Sequence, residues 1–161
     1  MSDKTDLTLI DFNEPTLEFA ETKLRQIARE NSRTTSMQFV HRSVHDLLKQ
    51  ASRSQDAPEE KYDLVYCAGL FDYLNDKVCS RLTQLFFRWL NPGGAVMVTN
   101  VHADQPVRGF MEHLQEWSLV LRNERQMMDL APDRPQERVY ADKTGANVFL
   151  LLRCPDDAVE E

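Results

Sequence analysis

Tyr62-Asp63-Leu64-Val65-Tyr66-Cys67 is a short run of aromatic and β-branched residues, and it passes into Ala68-Gly69-Leu70-Phe71-Asp72-Tyr73-Leu74. The run predicts a strand. Asn75 then stands as the cap of a helix whose apolar face is Val78, Leu82, Leu85, Phe86, Trp89 and Leu90. Asn91-Pro92-Gly93-Gly94 predicts the end of that helix and a turn. Ala95-Val96-Met97-Val98-Thr99-Asn100-Val101 follows as a strand apolar enough to be buried on both faces.

The same alternation extends in both directions. Upstream, Leu7-Thr8-Leu9-Ile10 is a β-prone run ending at Asp11, and Asn13-Glu14-Pro15 starts a helix: a cap, an acid in the first turn and a proline just inside. Leu17, Ala20, Leu24, Ile27 and Ala28 recur at helical spacing. Met37 to His41 predicts a second strand, Val44 to about Ala51 a short helix, and Ser52 to Lys61 a loop. Downstream, Pro106 to Trp117 predicts a helix with Val107, Phe110, Met111, Leu114 and Trp117 inward. Ser118 to Leu121 predicts a strand and Glu124 to Leu130 a short helix. Val139-Tyr140 and Asn147 to Leu152 are two more strands, flanking a turn at Lys143-Thr144-Gly145. Strand and helix in turn predict an α/β sheet with helices on both faces and an antiparallel pair at the C-terminal end.

The chain has 161 residues, which predicts a single domain over 1–161, with 155–161 as an acidic flexible tail. Its net charge of −7 argues against a dedicated nucleic-acid binder, which needs a cationic surplus to displace phosphate counterions. No apolar run approaches the roughly 18 residues of a membrane span, and the N-terminus lacks the pattern of a signal peptide. The 3 cysteines, Cys67, Cys79 and Cys154, are odd in number and form no C-x-x-C pair. A reduced cytoplasmic protein without a disulfide framework or zinc site is the expectation.

In open α/β sheets, ligands sit at the carboxyl ends of the strands. Asp11 follows the first strand, where a carboxylate can accept both hydroxyls of a ribose, or can simply cap a turn. Ser43-Val44-His45-Asp46 follows the second strand; Asp46 can reach an adenine edge or cap the next helix. Ala68 and Gly69 leave room for a ligand near the backbone. Phe71 and Tyr73 are either walls of a site or core. His102 closes the fourth strand as a general base or as a solvated loop histidine. His41 and His45 lie near Asp46 without a third ligand, so no metal site is expected.

Together these segments resemble a class I S-adenosylmethionine-dependent methyltransferase, over roughly residues 7–152. Leu9-Ile10-Asp11-Phe12-Asn13-Glu14-Pro15-Thr16-Leu17 resembles the family's second strand, whose acid holds the cofactor ribose. Tyr62 to Leu74 resembles the fourth strand and the substrate-side loop after it. Leu90-Asn91-Pro92-Gly93-Gly94-Ala95-Val96-Met97-Val98 is similar to the Leu-x-Pro-Gly-Gly approach to strand five. A narrower likeness, carried by Ala68 to Leu74 and by Trp117-Ser118-Leu119-Val120-Leu121-Arg122, is to bacterial proteins described as 3-hydroxypalmitic acid methyl ester biosynthesis enzymes. The resemblance implies S-adenosylmethionine as cofactor, with Asp11 and Phe12 at the ribose, His45 and Asp46 at the adenine, and Cys67, Ala68, Gly69 and Leu70 as the central wall. It also implies a small-molecule acceptor, such as a fatty-acid carboxylate, with Asp72 and His102 as candidate catalytic groups where the acceptor needs a base.

One departure stands out. The family carries a Gly-rich turn after its first strand, about 20 residues before the ribose acid in dinucleotide folds. Here only ten residues precede Asp11, and the 5 glycines include no Gly-x-Gly. The chain therefore reads as the C-terminal two-thirds of a methyltransferase, a fragment of a product that extends upstream. The missing strand belongs between the strands at Leu7 and Tyr62, and its loss predicts two open edges and self-association through them. The other class of function compatible with these residues is a non-catalytic methyltransferase-like interaction or regulatory module.

Overall fold

A computed structural model describes residues 5–53, 60–105, 118–133 and 136–156. The expected helix at Pro106–Trp117 and the end of the acidic tail lie outside the described residues. The chain divides into two compact units, residues 1–55 and 56–161.

In the first unit, β1 (Asp6–Asp11) and β2 (Ser36–His41) pair in parallel, with Asp6 opposite Ser36 and Asp11 opposite His41. Helix α1 (Glu14–Glu30) connects them, and α2 (Val44–Arg53) follows. Asn13 starts α1 as expected: its side chain accepts from Thr16 N at 2.9 Å, satisfying one of the amides a helix start leaves open. The helix ends in a Schellman motif, with Arg33 N donating to Ala28 O and Ser32 N to Arg29 O. Ser32 holds the left-handed position, φ 51°, that glycine usually takes. The apolar stripe is shallower than its periodicity predicts. Leu17 is buried and Ala20, Leu24 and Ala28 are half-buried, but Ile27 and Phe19 are exposed.

In the second unit, β3 (Tyr62–Cys67), β4 (Leu90–Val101), β5 (Gln136–Ala141) and β6 (Asn147–Arg153) form a sheet in the order β3-β4-β6-β5. β3 and β4 are parallel, and the later pairings are antiparallel, as the C-terminal pattern predicts. Helix α3 (Asp76–Arg88) packs on β4, and α4 (Glu124–Asp129) packs on β5 and β6. Val96, Val98, Val148, Leu150 and Leu152 are buried strand residues, and Leu82, Leu85, Phe86 and Met127 are buried helix residues. Burying each such side chain is worth about 1.5–3 kcal/mol, and among the described residues this unit carries most of the apolar core. Cys79 and Thr83 of α3 are buried as well; Thr83 Oγ1 donates back to Cys79 O at 2.9 Å.

Two local expectations change. Asn91-Pro92-Gly93-Gly94 is an irregularity inside β4 rather than a turn before it: Tyr62 pairs with Leu90, but Leu64 already pairs with Ala95. Both glycines are required there. Gly93 has φ 73°, and a Cβ on Gly94 would come within 2.9 Å of Asn91 O and 3.0 Å of Tyr62 O. The expected strand at Ser118–Leu121 does not form. Val120 N donates to Asp72 O and Arg122 N to Val101 O, so the backbone amides there tie down a loop, and only Arg122 bridges to His102. Among the described residues, β1 pairs only with β2 and β3 only with β4, so each has one open side.

Candidate functional site

The first unit presents acids at its strand ends. Asp11 closes β1 half-buried, and its Oδ1 accepts from Asn13 N at 2.8 Å, forming an Asx turn into α1. Phe12 next to it is 64% exposed, while its carbonyl takes a 2.8 Å contact from His41 Nε2. His45 and Asp46 are both exposed. Asp46 Oδ2 accepts from Ser43 Oγ at 2.6 Å, and Ser43 Oγ accepts from Asp46 N at 3.2 Å. The two residues form a reciprocal cap on α2, so the helix-capping reading of Asp46 is realised. The Ser43 hydroxyl, then the Ser43 backbone, hold the Asp46 carboxyl below its usual range.

At the end of β3 in the second unit, the chain leaves the sheet through Ala68 and Gly69, both exposed, and half-buried Leu70. Gly69 has φ 78° with open space where a Cβ would stand, so glycine is required there by conformation rather than by crowding. Cys67 is a neutral thiol: burial first, then the charges of Cys79 and Asp72, push it up to about 12. Phe71 is core, fully buried, whereas Tyr73 is exposed.

Asp72 and His102 are tied into the protein. Asp72 is buried; its Oδ1 accepts from Val101 N at 2.6 Å. Burial raises its pKa, opposed by the Val101 amide and by the Arg122 charge. His102 is 8% exposed rather than solvated. Its Nδ1 accepts from Asp104 N at 3.1 Å, which puts the proton on Nε2, facing Glu124 Oε2 at 3.2 Å. Both ring nitrogens are therefore engaged. Glu124 is held below its usual range, first by its own backbone amide and next by His102.

The residue that sequence reasoning passed over is Arg122, 1% exposed. Its side chain donates to Phe71 O at 2.8 Å, Leu74 O at 2.7 Å, Asn100 Oδ1 at 2.6 Å and Asp76 Oδ1 at 2.7 and 2.9 Å. Asn100, fully buried, in turn donates to Val101 O and Val120 O. The available signal was an arginine directly behind the apolar Leu119-Val120-Leu121, in a chain where a buried cation needs partners. Among the described residues no three His, Cys, Asp or Glu side chains gather as a metal site, and no helix is long and apolar enough to cross a membrane.

No curated protein matches the chain by sequence. A protein from Bordetella parapertussis described as possibly exported is similar in structure, with TM-score 0.67 and 18% identity over 93% of this chain and 53% of that one. A SAM-dependent methyltransferase from Methanosarcina mazei gives TM-score 0.61 at 16% identity, over 94% of this chain and 83% of its own. Magnesium protoporphyrin IX methyltransferase from Synechocystis, solved with bound SAH, gives 0.62 at 10% identity, over 91% and 63%. The chain thus spans about half the length of the first of these and more of the others, and shares their Rossmann-like α/β fold. Residues 1–94 match the family described as a methyltransferase domain, and the chain belongs to that family.

Proposed function

We propose that the chain serves S-adenosylmethionine-dependent methyl transfer to a small-molecule carboxylate, a fatty acid among the candidates. The observation that carries the reading is Asp11. An ionised carboxylate has about four acceptor sites, and Asn13 N is the one donor that the Asp11 carboxylate meets among the described residues. It keeps capacity for the two hydroxyls of a ribose. Phe12 adds an exposed apolar ring beside it, and Asp46 Oδ1 and His45 remain outside the cap made with Ser43, as adenine partners. Cys67, Ala68, Gly69 and Leu70 fit a cofactor wall: an uncharged thiol and exposed backbone.

The fit covers the nucleoside half. The resemblance assigns the methionine half to a Gly-rich turn, and no Gly-x-Gly occurs in the chain. Full cofactor binding in this reading needs a further segment. When bound, the cofactor supplies a methyl group on a sulfonium for in-line displacement at carbon. The chain's own residues orient and shield the reactants, which is where the catalysis of such a step lies.

The acceptor class rests on Asp72 and His102. Asp72 is buried with its Oδ1 on Val101 N, and His102 is buried with both ring nitrogens engaged, so both are turned into the protein rather than open to a substrate as general bases. A carboxylate is already ionised at neutral pH and needs none. Asp72 and His102 then act by holding the strand ends in shape.

The second reading is a non-catalytic methyltransferase-like module, which shares the fold and needs no cofactor. Calorimetric titration with S-adenosylhomocysteine separates the two, run on this chain and on one extended upstream. Saturable binding by either, followed by transfer of labelled methyl to carboxylate but not to hydroxyl or amine acceptors, supports the enzyme. A folded extended chain that binds nothing supports the module. The open sides of β1 and β3 also support self-association, which sedimentation measures directly.

A further inference from the structure

We propose that Arg122 is the positioning residue for the turn after β3, holding the backbone of Ala68, Gly69 and Leu70 in the shape a cofactor wall requires. The proposal rests on the methyltransferase reading above.

A guanidinium has five N–H groups in one rigid plane. The five contacts of Arg122 use Nε once and each terminal nitrogen twice, so every donor has an acceptor. Two of those acceptors, Phe71 O and Leu74 O, bracket the 3-10 turn Phe71–Tyr73. A third, Asn100 Oδ1, is fixed because the Asn100 amide also donates to Val101 O and Val120 O. Asp76, exposed to water on its other side, balances the charge.

The consequence falls on the segment between two anchors. Cys67 is paired with Val98 in the sheet, and Phe71 is held by its buried ring and by Arg122 at its carbonyl. Ala68, Gly69 and Leu70 span that gap, with Gly69 in a left-handed conformation. Nothing in the β3-β4-β6-β5 ladder depends on the guanidinium; its acceptors are the turn, the α3 start and one side chain of β4. Lysine offers three donors on a tetrahedral nitrogen and cannot reproduce the planar set.

The test uses the full chain with Arg122→Lys. Asp76→Ala, a largely exposed change, serves as the milder second variant. Leu150→Ala is a control that weakens the sheet core without touching the turn. Hydrogen exchange is read for residues 68–76 against 95–101 and 147–153, and S-adenosylhomocysteine affinity is measured alongside. Arg122→Lys is expected to speed exchange in 68–76 alone and to weaken binding at least about tenfold, since small misplacements of a binding wall are costly. Asp76→Ala shifts both in the same direction by less. Leu150→Ala loosens the sheet and leaves affinity within about twofold of the parent. Unchanged exchange at 68–76 in both variants overturns the proposal, as does acceleration spread equally over β4 and β6. Equal affinity in parent and Arg122→Lys overturns it too. A folded parent that binds no S-adenosylhomocysteine even when extended upstream counts against the methyltransferase reading instead, and the exchange pattern still decides the role of Arg122.

Discussion

The strand ends of the two units handle polar side chains in opposite ways. In the first, Asp11 bonds to Asn13 and Asp46 to Ser43, partners two and three residues away, and these carboxylates stay in reach of water. In the second, Asp72 bonds to Val101 and Arg122 to Phe71, Leu74, Asp76 and Asn100, partners 22 to 51 residues away, with Arg122 and Asn100 out of water. A short-range cap leaves a carboxylate with acceptor capacity facing outward. A long-range buried lattice consumes its donors and acceptors and fixes backbone instead. The first arrangement suits ligand contact and the second suits shape.

The contrast breaks most sharply at Arg122. Replacing it by Met leaves Asn100 Oδ1 and the Leu74 carbonyl without the guanidinium and the Phe71 carbonyl with Leu74 N as its remaining backbone donor, and the expected loss is about 3 kcal/mol, read by urea unfolding. A loss under about 1 kcal/mol would place the lattice with the ordinary surface ion pairs. Ser43→Ala removes the hydroxyl shared with Asp46 and is expected to cost about 1 kcal/mol, confined to the first unit. Ser32→Gly works the other way: it relieves a side chain from φ 51° and is expected to stabilise by up to about 1 kcal/mol.

The smallest effect is a pH dependence. Asp142 closes the turn between β5 and β6, accepting from Thr144 Oγ1 at 2.6 Å, Thr144 N at 2.9 Å, Ala146 N at 3.1 Å and Asn147 Nδ2 at 3.2 Å. The Thr144 hydroxyl first, then Asn147 and the two amides, bring its pKa down to about 2. A depressed carboxyl stabilises the fold above its unfolded value, about 3.9. That stability is lost as the pH falls from there through about 2. Asp72 has the opposite sign: its raised pKa means that ionisation opposes folding as the pH climbs past 3.8. Thermal unfolding between pH 5 and 2 should therefore show a low-pH slope that Asp142→Asn reduces and Asp72→Asn does not.

What was legible in the sequence follows the same division. Asn13 and Asn75 were readable as caps because a cap and its amide lie three residues apart. The antiparallel pair was readable from alternation around Lys143-Thr144-Gly145. Gly93-Gly94 was readable as a break but not as an irregularity within β4, since only the approach of Tyr62 O reveals it. His102 read as a loop residue because Glu124, its partner, lies 22 residues on. Arg122 and Asn100 escaped notice for the same reason: no local spacing marks a bond that closes over tens of residues. The apolar stripe of α1 overstated burial at Ile27, because periodicity reports which face is apolar and not what covers it.

The most direct measurement is a paired titration of the chain and its Asp11→Ala variant with S-adenosylhomocysteine, each checked by thermal unfolding without ligand. If the strand-end acids of the first unit serve a ligand, the variant melts close to the parent and loses saturable binding. A variant that binds as tightly as the parent, or that binds less only because it has unfolded, would contradict the assignment of Asp11 and the division between the two strand ends built on it.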